Sequence, residues 1–354
     1  MNFDTLSFGE FVVLVIVVIE VVIVLVTLFS LIFLRRRAVT REERYDEARR
    51  ELSEAMPDLD GTPEQQVVAT AKAKAVIARL GPEHARRLLT ELAEFVSIEH
   101  AAPLSRLFVD AGLVAASLAM AKARPWERLR VVREARALND PGDALRKLVK
   151  DPEPDVRISA FEALCALGRA DEALVALRDI ARDGRLARMR AVDSLASTDP
   201  LPLTQLINLA EHGDDELRQM TVGALGRSGA RDAIDTIIAA VTDEYVEVRI
   251  EALRALKEME DASALTACLA ALKDEFWEVR SAAVGTCAAL GGAGAAADIS
   301  RLLDDSAEWV RHNASLALGR CGPAGLAALR QAAARGNENA SAALAEHRLT
   351  TEGS

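Results

Sequence analysis

Aromatic residues are scarce in this 354-residue chain: three Trp, two Tyr and nine Phe make 4% of it. A core built around large rings is therefore excluded. With half the residues apolar, small and aliphatic side chains must do the packing, which suits closely spaced helices. Basic residues are also short: the formal net charge is −11. Such a balance argues against nucleic acid as a partner, since phosphate binding needs clustered Lys and Arg, and against an array lying flat on an anionic membrane. Only four cysteines occur, Cys165, Cys268, Cys287 and Cys321. None forms a C-x-x-C pair, no Cys/His group has zinc-ligand spacing, and each falls in an apolar helical pattern, so buried, reduced thiols in the cytosol are expected. His212 and His312 are isolated. Gly291-Gly292-Ala293-Gly294 lacks the Lys-Ser/Thr of a phosphate loop, and no nucleophile motif appears. Neither an enzyme nor a cofactor or metal is expected.

What is present begins with a long apolar run. Residues 11–34 read FVVLVIVVIEVVIVLVTLFSLIFL, with Glu20 their only charge. A helix of that length spans about 36 Å, enough to cross a hydrocarbon core of about 30 Å with some tilt. A cleaved signal peptide would need a basic start and a small-residue cleavage site; here Asp4 and Glu10 precede the run and Arg35, Arg36 and Arg37 follow it. An uncleaved single-pass anchor is expected. No Lys or Arg precedes the run, whereas Arg35, Arg36, Arg37, Arg41 and Arg44 flank its far end. The positive-inside rule then puts a tail of residues 1–10 outside the plasma membrane and the rest in the cytoplasm. An acidic residue at mid-span costs roughly 2.5–3.5 kcal/mol, which the surrounding aliphatics offset. Glu20 is thus either a tolerated, protonated carboxyl or a contact for a polar group on a partner's transmembrane helix.

Residues 35–61 carry many charges of both signs, several at helical spacing, such as Asp46–Arg50 and Arg50–Glu54. They read as a solvated helical stalk, its Arg-rich start near lipid headgroups, broken by Pro57, Asp60 and Gly61. Thr62-Pro63-Glu64-Gln65 has the chemistry of a capping box opening the next helix. Further amphipathic helices are expected after Gly81-Pro82, over about 103–121 and over 125–138. Residues 62–139 show no strict repeat and read as an irregular helical cap.

From residue 140 to 335 the pattern becomes periodic. Six segments align without gaps on Arg157, Arg188, Arg218, Arg249, Arg280 and Arg311, at steps of 31, 30, 31, 31 and 31 residues. The third residue after each arginine is small, the fourth is apolar in five of six, and the seventh is Leu in all but Cys287. With the apolar or small residue just before the arginine, these positions form one face of a helix. A second apolar helix precedes several of them, so each unit is a helical hairpin that buries its face only by stacking on neighbours. Residues 336–354 read as a tail. The fold class expected is all-α: an α-solenoid of helical hairpins behind a single transmembrane helix.

The phrases DPEPDVRISAFEALCALG, DEYVEVRIEALRAL and DEFWEVRSAAVGTCAALG resemble HEAT repeats, of the short bacterial type also found in phycobiliprotein lyases. The resemblance implies a scaffold or adaptor. It also implies that the six arginines and their upstream acids link neighbouring units, in keeping with their recurrence in every unit, since a catalytic group is needed once. Tyr245, Phe276, Trp277 and Trp309, just before their arginines, are either hairpin-corner packing or exposed anchors for a partner. Ile158, Met189 and Ile250 follow their arginines directly, and Arg254 lies five residues after its own. They face an inner groove, the apolar three serving either as binding contacts or as packing between repeats. Proteins of this make-up imply a membrane-bound partner, such as an envelope polysaccharide glycosyltransferase. The resemblance leaves open a bilin-lyase-like or chaperone activity; repair of DNA, as by HEAT-type glycosylases, would need a basic groove.

Overall fold

The computed structural model describes residues 8–59, 61–96, 101–120 and 123–352, and among these it is helical throughout, with no strand. They fall into two compact units, residues 1–119 with 137–142, and residues 120–136 with 143–354.

The first unit opens with one long helix, α1 (Phe8–Leu59). Its described apolar side chains from Ile19 to Phe33 are exposed, and so are Glu20 and Arg35. Residues 1–7 of the expected outer tail, and the side chains of residues 11–18, Leu34, Arg36, Arg37 and Arg41, lie outside the described residues. The helix does not stop at Pro57, which is accommodated in its last turn. Nor is its charged half solvated all round. Tyr45, Ala48, Leu52, Ala55 and Leu59 are buried, and their alternating spacing of three and four marks one helical stripe. The stripe packs on α2 (Pro63–Leu80) and α3 (Pro82–Glu94), where Ala73, Val76, Leu88 and Leu89 complete a core. Tyr45 donates to the Glu91 carboxylate at 2.7 Å, and burial together with that bond pushes its phenol pKa up.

The capping box forms as expected, with Thr62 and Gln65 exchanging bonds at the start of α2. The single helix expected over 103–121 is instead two, α4 (Ala102–Asp110) and α5 (Leu113–Met120), bent by 87°. Gly112, at φ +69°, supplies the left-handed residue that the corner needs.

The second unit begins with α6 (Pro125–Ala137) and α7 (Ala144–Leu148). The stretch read as a cap therefore divides between the two units. Next come α8 (Pro154–Ala166), α9 (Ala170–Ala173), α10 (Leu177–Arg182) and α11 (Arg185–Ala196). They are followed by α12 (Leu203–His212), α13 (Asp215–Ser228), α14 (Ile234–Ala240), α15 (Val246–Met259) and α16 (Leu265–Ala271). The unit closes with α17 (Trp277–Gly291), α18 (Ala296–Ser300), α19 (Glu308–Arg320), α20 (Gly322–Ala334) and α21 (Glu338–Glu352). The arginine-bearing helices α8, α11, α13, α15, α17 and α19 stack each on the next, and each packs on the shorter helix before it.

Burial explains the periodicity. Ala160, Ala191, Thr221, Ala252, Ala283 and Ala314, three residues after their arginines, are fully buried. So are Leu164, Leu195, Leu225, Leu256, Cys287 and Leu318 four residues later. The expected tail from 336 is a further hairpin helix: α21 packs on α19 and α20, with Ala340 and Ala343 buried. Trp277–Asp304 is apolar and long enough by composition to cross a membrane. It is, however, broken at Gly291-Gly292, and Val279, Ala283, Val284 and Ile299 are buried among neighbouring helices, which makes it the core of a hairpin.

Candidate partner-binding groove

The arginine column forms a ladder. Arg249 donates through Nη1 to the Asp243 carbonyl of its own hairpin at 2.7 Å. It also grips the Asp274 carboxylate of the next hairpin, with Nε at 2.9 Å and Nη2 at 3.1 Å. Arg218 holds Asp243 at 2.8 and 2.9 Å, Arg280 holds Asp305 at 2.8 Å through both nitrogens, and Arg157 holds Asp183 through Nε at 2.9 Å. The carboxylates of Asp243, Asp274 and Asp305 each accept a second bond from the backbone N–H two residues on, at 2.8–2.9 Å. One aspartate therefore shapes its own turn and ties down the preceding hairpin. Burial alone would raise the pKa of Asp305, but Arg280 and the Ala307 N–H outweigh it and hold the carboxyl below its usual range. The same bonds push Arg218 and Arg280 up.

The ladder also begins earlier than the aligned segments indicate. Arg128 of α6 bonds Asp151 at 2.8 Å and donates to the Ala123 carbonyl at 2.6 Å. The sequence signal was available: Arg128 lies 29 residues before Arg157, with apolar Val131, Val132 and Ala135 at the expected offsets.

Two of the aligned arginines lack a carboxylate: Arg311 at the end of the column, which bonds the Asp305 and Ser306 carbonyls, and Arg188 in its interior. Arg218, Arg249 and Arg280 each find their aspartate 25 residues on. For Arg188 that position is Gly213, where a Cβ would stand 2.5 Å from the Leu209 carbonyl oxygen and 2.9 Å from Leu217 Cβ. The acid comes one residue later, at the offset that separates Asp183 from Arg157, but it is turned to other partners. Asp214 caps α13 by accepting from the Leu217 N–H at 3.1 Å and pairs with Arg178 at 3.3 Å. This shortened turn is the origin of the single 30-residue step. Arg188 keeps a bond to the Ala181 carbonyl at 3.0 Å, and no carboxylate pairs with it among the described residues.

Two cavities open on the second helices. The first, about 410 Å³, spans α11, α13 and α15; the second, about 590 Å³, spans α15, α17 and α19. Arg254 of α15 borders both. The second has Gly285 in its lining, where the missing side chain leaves room. Apolar surface is offered by Met189, 48% exposed, in the first cavity, and by Ile250 and Trp277, 41% exposed, in the second.

The structure thus gathers Met189, Ile250, Arg254 and Trp277 on one surface. It separates the others. Ile158 is buried, so at that register position packing between repeats prevails. Tyr245 lies under the Arg218 guanidinium, 5.2 Å from its ring centre, and Phe276 lies likewise under Arg249 at 5.4 Å. Both corner rings are partly exposed and cover ladder rungs. Trp309, 64% exposed, meets His312 edge-on and lines neither cavity. Glu20 is on α1, in the first unit. Arg185, Arg188, Arg227, Lys257 and Arg320, not singled out as groove residues from the sequence, also line the cavities. Among the described residues no cluster of His, Cys, Asp and Glu is gathered that could hold a metal ion.

No curated protein matches the chain in sequence. Among solved structures, Kap121p is similar at 14% identity with a TM-score of 0.46, the match covering 84% of this chain and 44% of that one. The chain therefore spans less than half the length of Kap121p. An engineered protein matches at 19% identity and a TM-score of 0.35, covering 84% of this chain and 98% of the other. Human deoxyhypusine hydroxylase matches at 19% identity and 0.31, covering 80% and 98%. These likenesses concern the helical-repeat arrangement alone. Family models for HEAT repeats match residues 143–170, 203–270 and 265–347, and the chain carries HEAT repeats across those segments.

Proposed function

We propose that this chain is a membrane-tethered scaffold that acts by binding a protein partner through the groove of its HEAT repeats. The observation that carries the reading is the groove: exposed apolar and charged side chains on successive second helices, beside a ladder whose polar groups are nearly all consumed internally. Apart from Arg188, residues of the arginine column that hold the array together are thus distinct from those lining the cavities. Tethering rests on the apolar run of α1, whose described side chains are exposed along the helix, and on the arginines that follow it. With the N-terminus outside, the repeats lie in the cytoplasm close to the bilayer, which raises their effective concentration toward membrane-bound partners. A membrane-embedded envelope glycosyltransferase is the partner class to test first.

The test is affinity capture of the full chain from detergent-solubilised membranes, paired with reporter fusions at the C-terminus. The expected result is a cytoplasmic reporter signal and reproducible recovery of one membrane protein. Recovery is expected to fall in Glu20→Leu if the carboxyl contacts a partner helix. A chain found in the soluble fraction, or one that recovers no reproducible membrane protein, sinks the reading.

A further inference from the structure

The groove has a net basic lining although the chain is acidic. Its two cavities are lined by Arg185, Arg188, Arg227, Arg254, Lys257 and Arg320 against three carboxylates, Glu247, Glu251 and Glu278. The chain as a whole carries −11. Two of the cations are already engaged: Arg227 with Asp193 at 3.1 Å, and Arg254 with Glu251 at 3.5 Å. Arg185, Arg188, Lys257 and Arg320 pair with no carboxylate among the described residues. Their distribution is not incidental to the repeat. Arg188 is the interior member of the arginine column that finds no aspartate, because Asp214 is engaged with Arg178 and the Leu217 N–H, and its guanidinium lies on the cavity wall.

Between these cations lie apolar groups, Met189 in the first cavity and Trp277 in the second, with the 70%-exposed Leu186 on the same helix as Met189. We propose that the groove takes an acidic, partly apolar segment of a partner protein. Its carboxylates sit on Arg185 and Arg188 at one end and on Lys257 and Arg320 at the other, and its apolar side chains lie against Met189 and Trp277. Charge complementarity of this kind sets partner choice and approach rate, and it weakens with salt. A nucleic acid fits less well. Its phosphates recur along the whole strand, so some would meet Glu247, Glu251 and Glu278, whereas a peptide can place its acids selectively.

The inference rests on the scaffold reading and can fail separately from it. The full chain in detergent micelles is titrated into a short fluorescein-labelled peptide of Glu, Leu and Phe, into the same peptide with Lys for Glu, and into a labelled DNA duplex. Saturable binding of the acidic peptide is expected, at least about tenfold tighter than the basic one and weakening with salt. Arg185→Glu and Lys257→Glu, both at exposed positions, are each expected to weaken it about tenfold. Arg188→Gln, which retains a donor for Ala181, should weaken it less, and Arg330→Glu, outside the groove, should leave it unchanged. Equal affinity for the two peptides, tighter binding of the duplex, or indifference to both charge reversals overturns the assignment. If a membrane partner is captured equally well by the Arg185→Glu/Lys257→Glu double variant, the acidic-segment assignment falls while binding of a membrane partner stands. If the peptide binds as expected but no membrane partner is captured, the reverse holds.

Discussion

Asp274→Ala is the sharpest test of the ladder. Asp274 and Arg249 retain only 15% and 9% of their side-chain exposure, and the pair joins α15 to the turn before α17. Removing one member of a buried ion pair costs about 3–5 kcal/mol, because the other charge stays behind unpaired. Two features pull the value toward the lower end here. Arg249 keeps its bonds to the Asp243 and Glu244 carbonyls, at 2.7 and 3.3 Å, and it stays over the Phe276 ring. The lost acceptor for the Phe276 N–H adds about 1 kcal/mol. A loss of about 3–4 kcal/mol is expected, against about 2 kcal/mol for Asp274→Asn, which preserves the turn bond. The chain supplies its own control. Arg188 has no aspartate, so Arg188→Met should cost less than about 1.5 kcal/mol, one backbone hydrogen bond's worth. Urea unfolding followed by far-UV circular dichroism reads these differences. Hydrogen exchange should place the new opening at α15 and α17, since repeats contact only their neighbours. A double-mutant cycle with Arg249→Met should return a coupling of about 2 kcal/mol. If Asp274→Ala costs no more than Arg188→Met, the ladder is not what joins the hairpins, and the reasoning is refuted.

Four further outcomes follow from the packing and the ionisable groups. Gly226→Ala should destabilise by about 1–3 kcal/mol, because its Cβ would stand 2.3 Å from Ala255 Cβ and drive α13 and α15 apart. Gly285→Ala, with nothing nearer than Lys257 Nζ at 4.0 Å, should instead stabilise α17 by up to about 1 kcal/mol in the same unfolding assay. Burial pushes Cys165 and Cys268 up to about 11, and it also raises Cys287 and Cys321. A thiol reagent at pH 8 should therefore label the native chain slowly and all four cysteines promptly in denaturant; prompt native labelling would contradict their burial. Acid should also loosen the array. The Arg169 and Arg146 bonds hold Glu172 down at about 2, and Asp305 is likewise depressed. Groups whose folded pKa lies below the unfolded value stabilise fully above the unfolded value, near pH 4. That contribution is lost as pH falls through the folded one. Unfolding midpoints should hold from pH 7 to about 5 and decline between about 4 and 2; a midpoint unchanged down to pH 2 would contradict these shifts.

What could be read without coordinates was whatever repeats or is locally coded. Six arginines at near-constant spacing, with small and apolar residues three, four and seven positions later, specify a helix face that has to be covered by a copy of itself. The capping box at Thr62 is coded within four residues. The charged half of α1 was misread for an instructive reason. Its dense charges dominate the pattern, while the stripe from Tyr45 to Leu59 is mostly Ala and Leu at coiled-coil spacing, and α2 and α3 settle whether such a stripe is covered. Ile158 and Met189 make the same point within the array. They hold the same register position, yet Ile158 is buried and Met189 is half exposed, because coverage depends on the neighbouring turn of helix.

The groove's charge was illegible for a related reason. A composition of −11 averages over the whole surface, whereas a binding face is set by which side chains find internal partners. Asp183, Asp243, Asp274 and Asp305 are consumed by the ladder, whereas several groove cations pair with no carboxylate among the described residues. For Arg188 this reflects an acid, Asp214, that caps α13 and pairs with Arg178 instead. The repeat period therefore established the array, and the pairing of charges in space established which arginine within it was left free to meet something else.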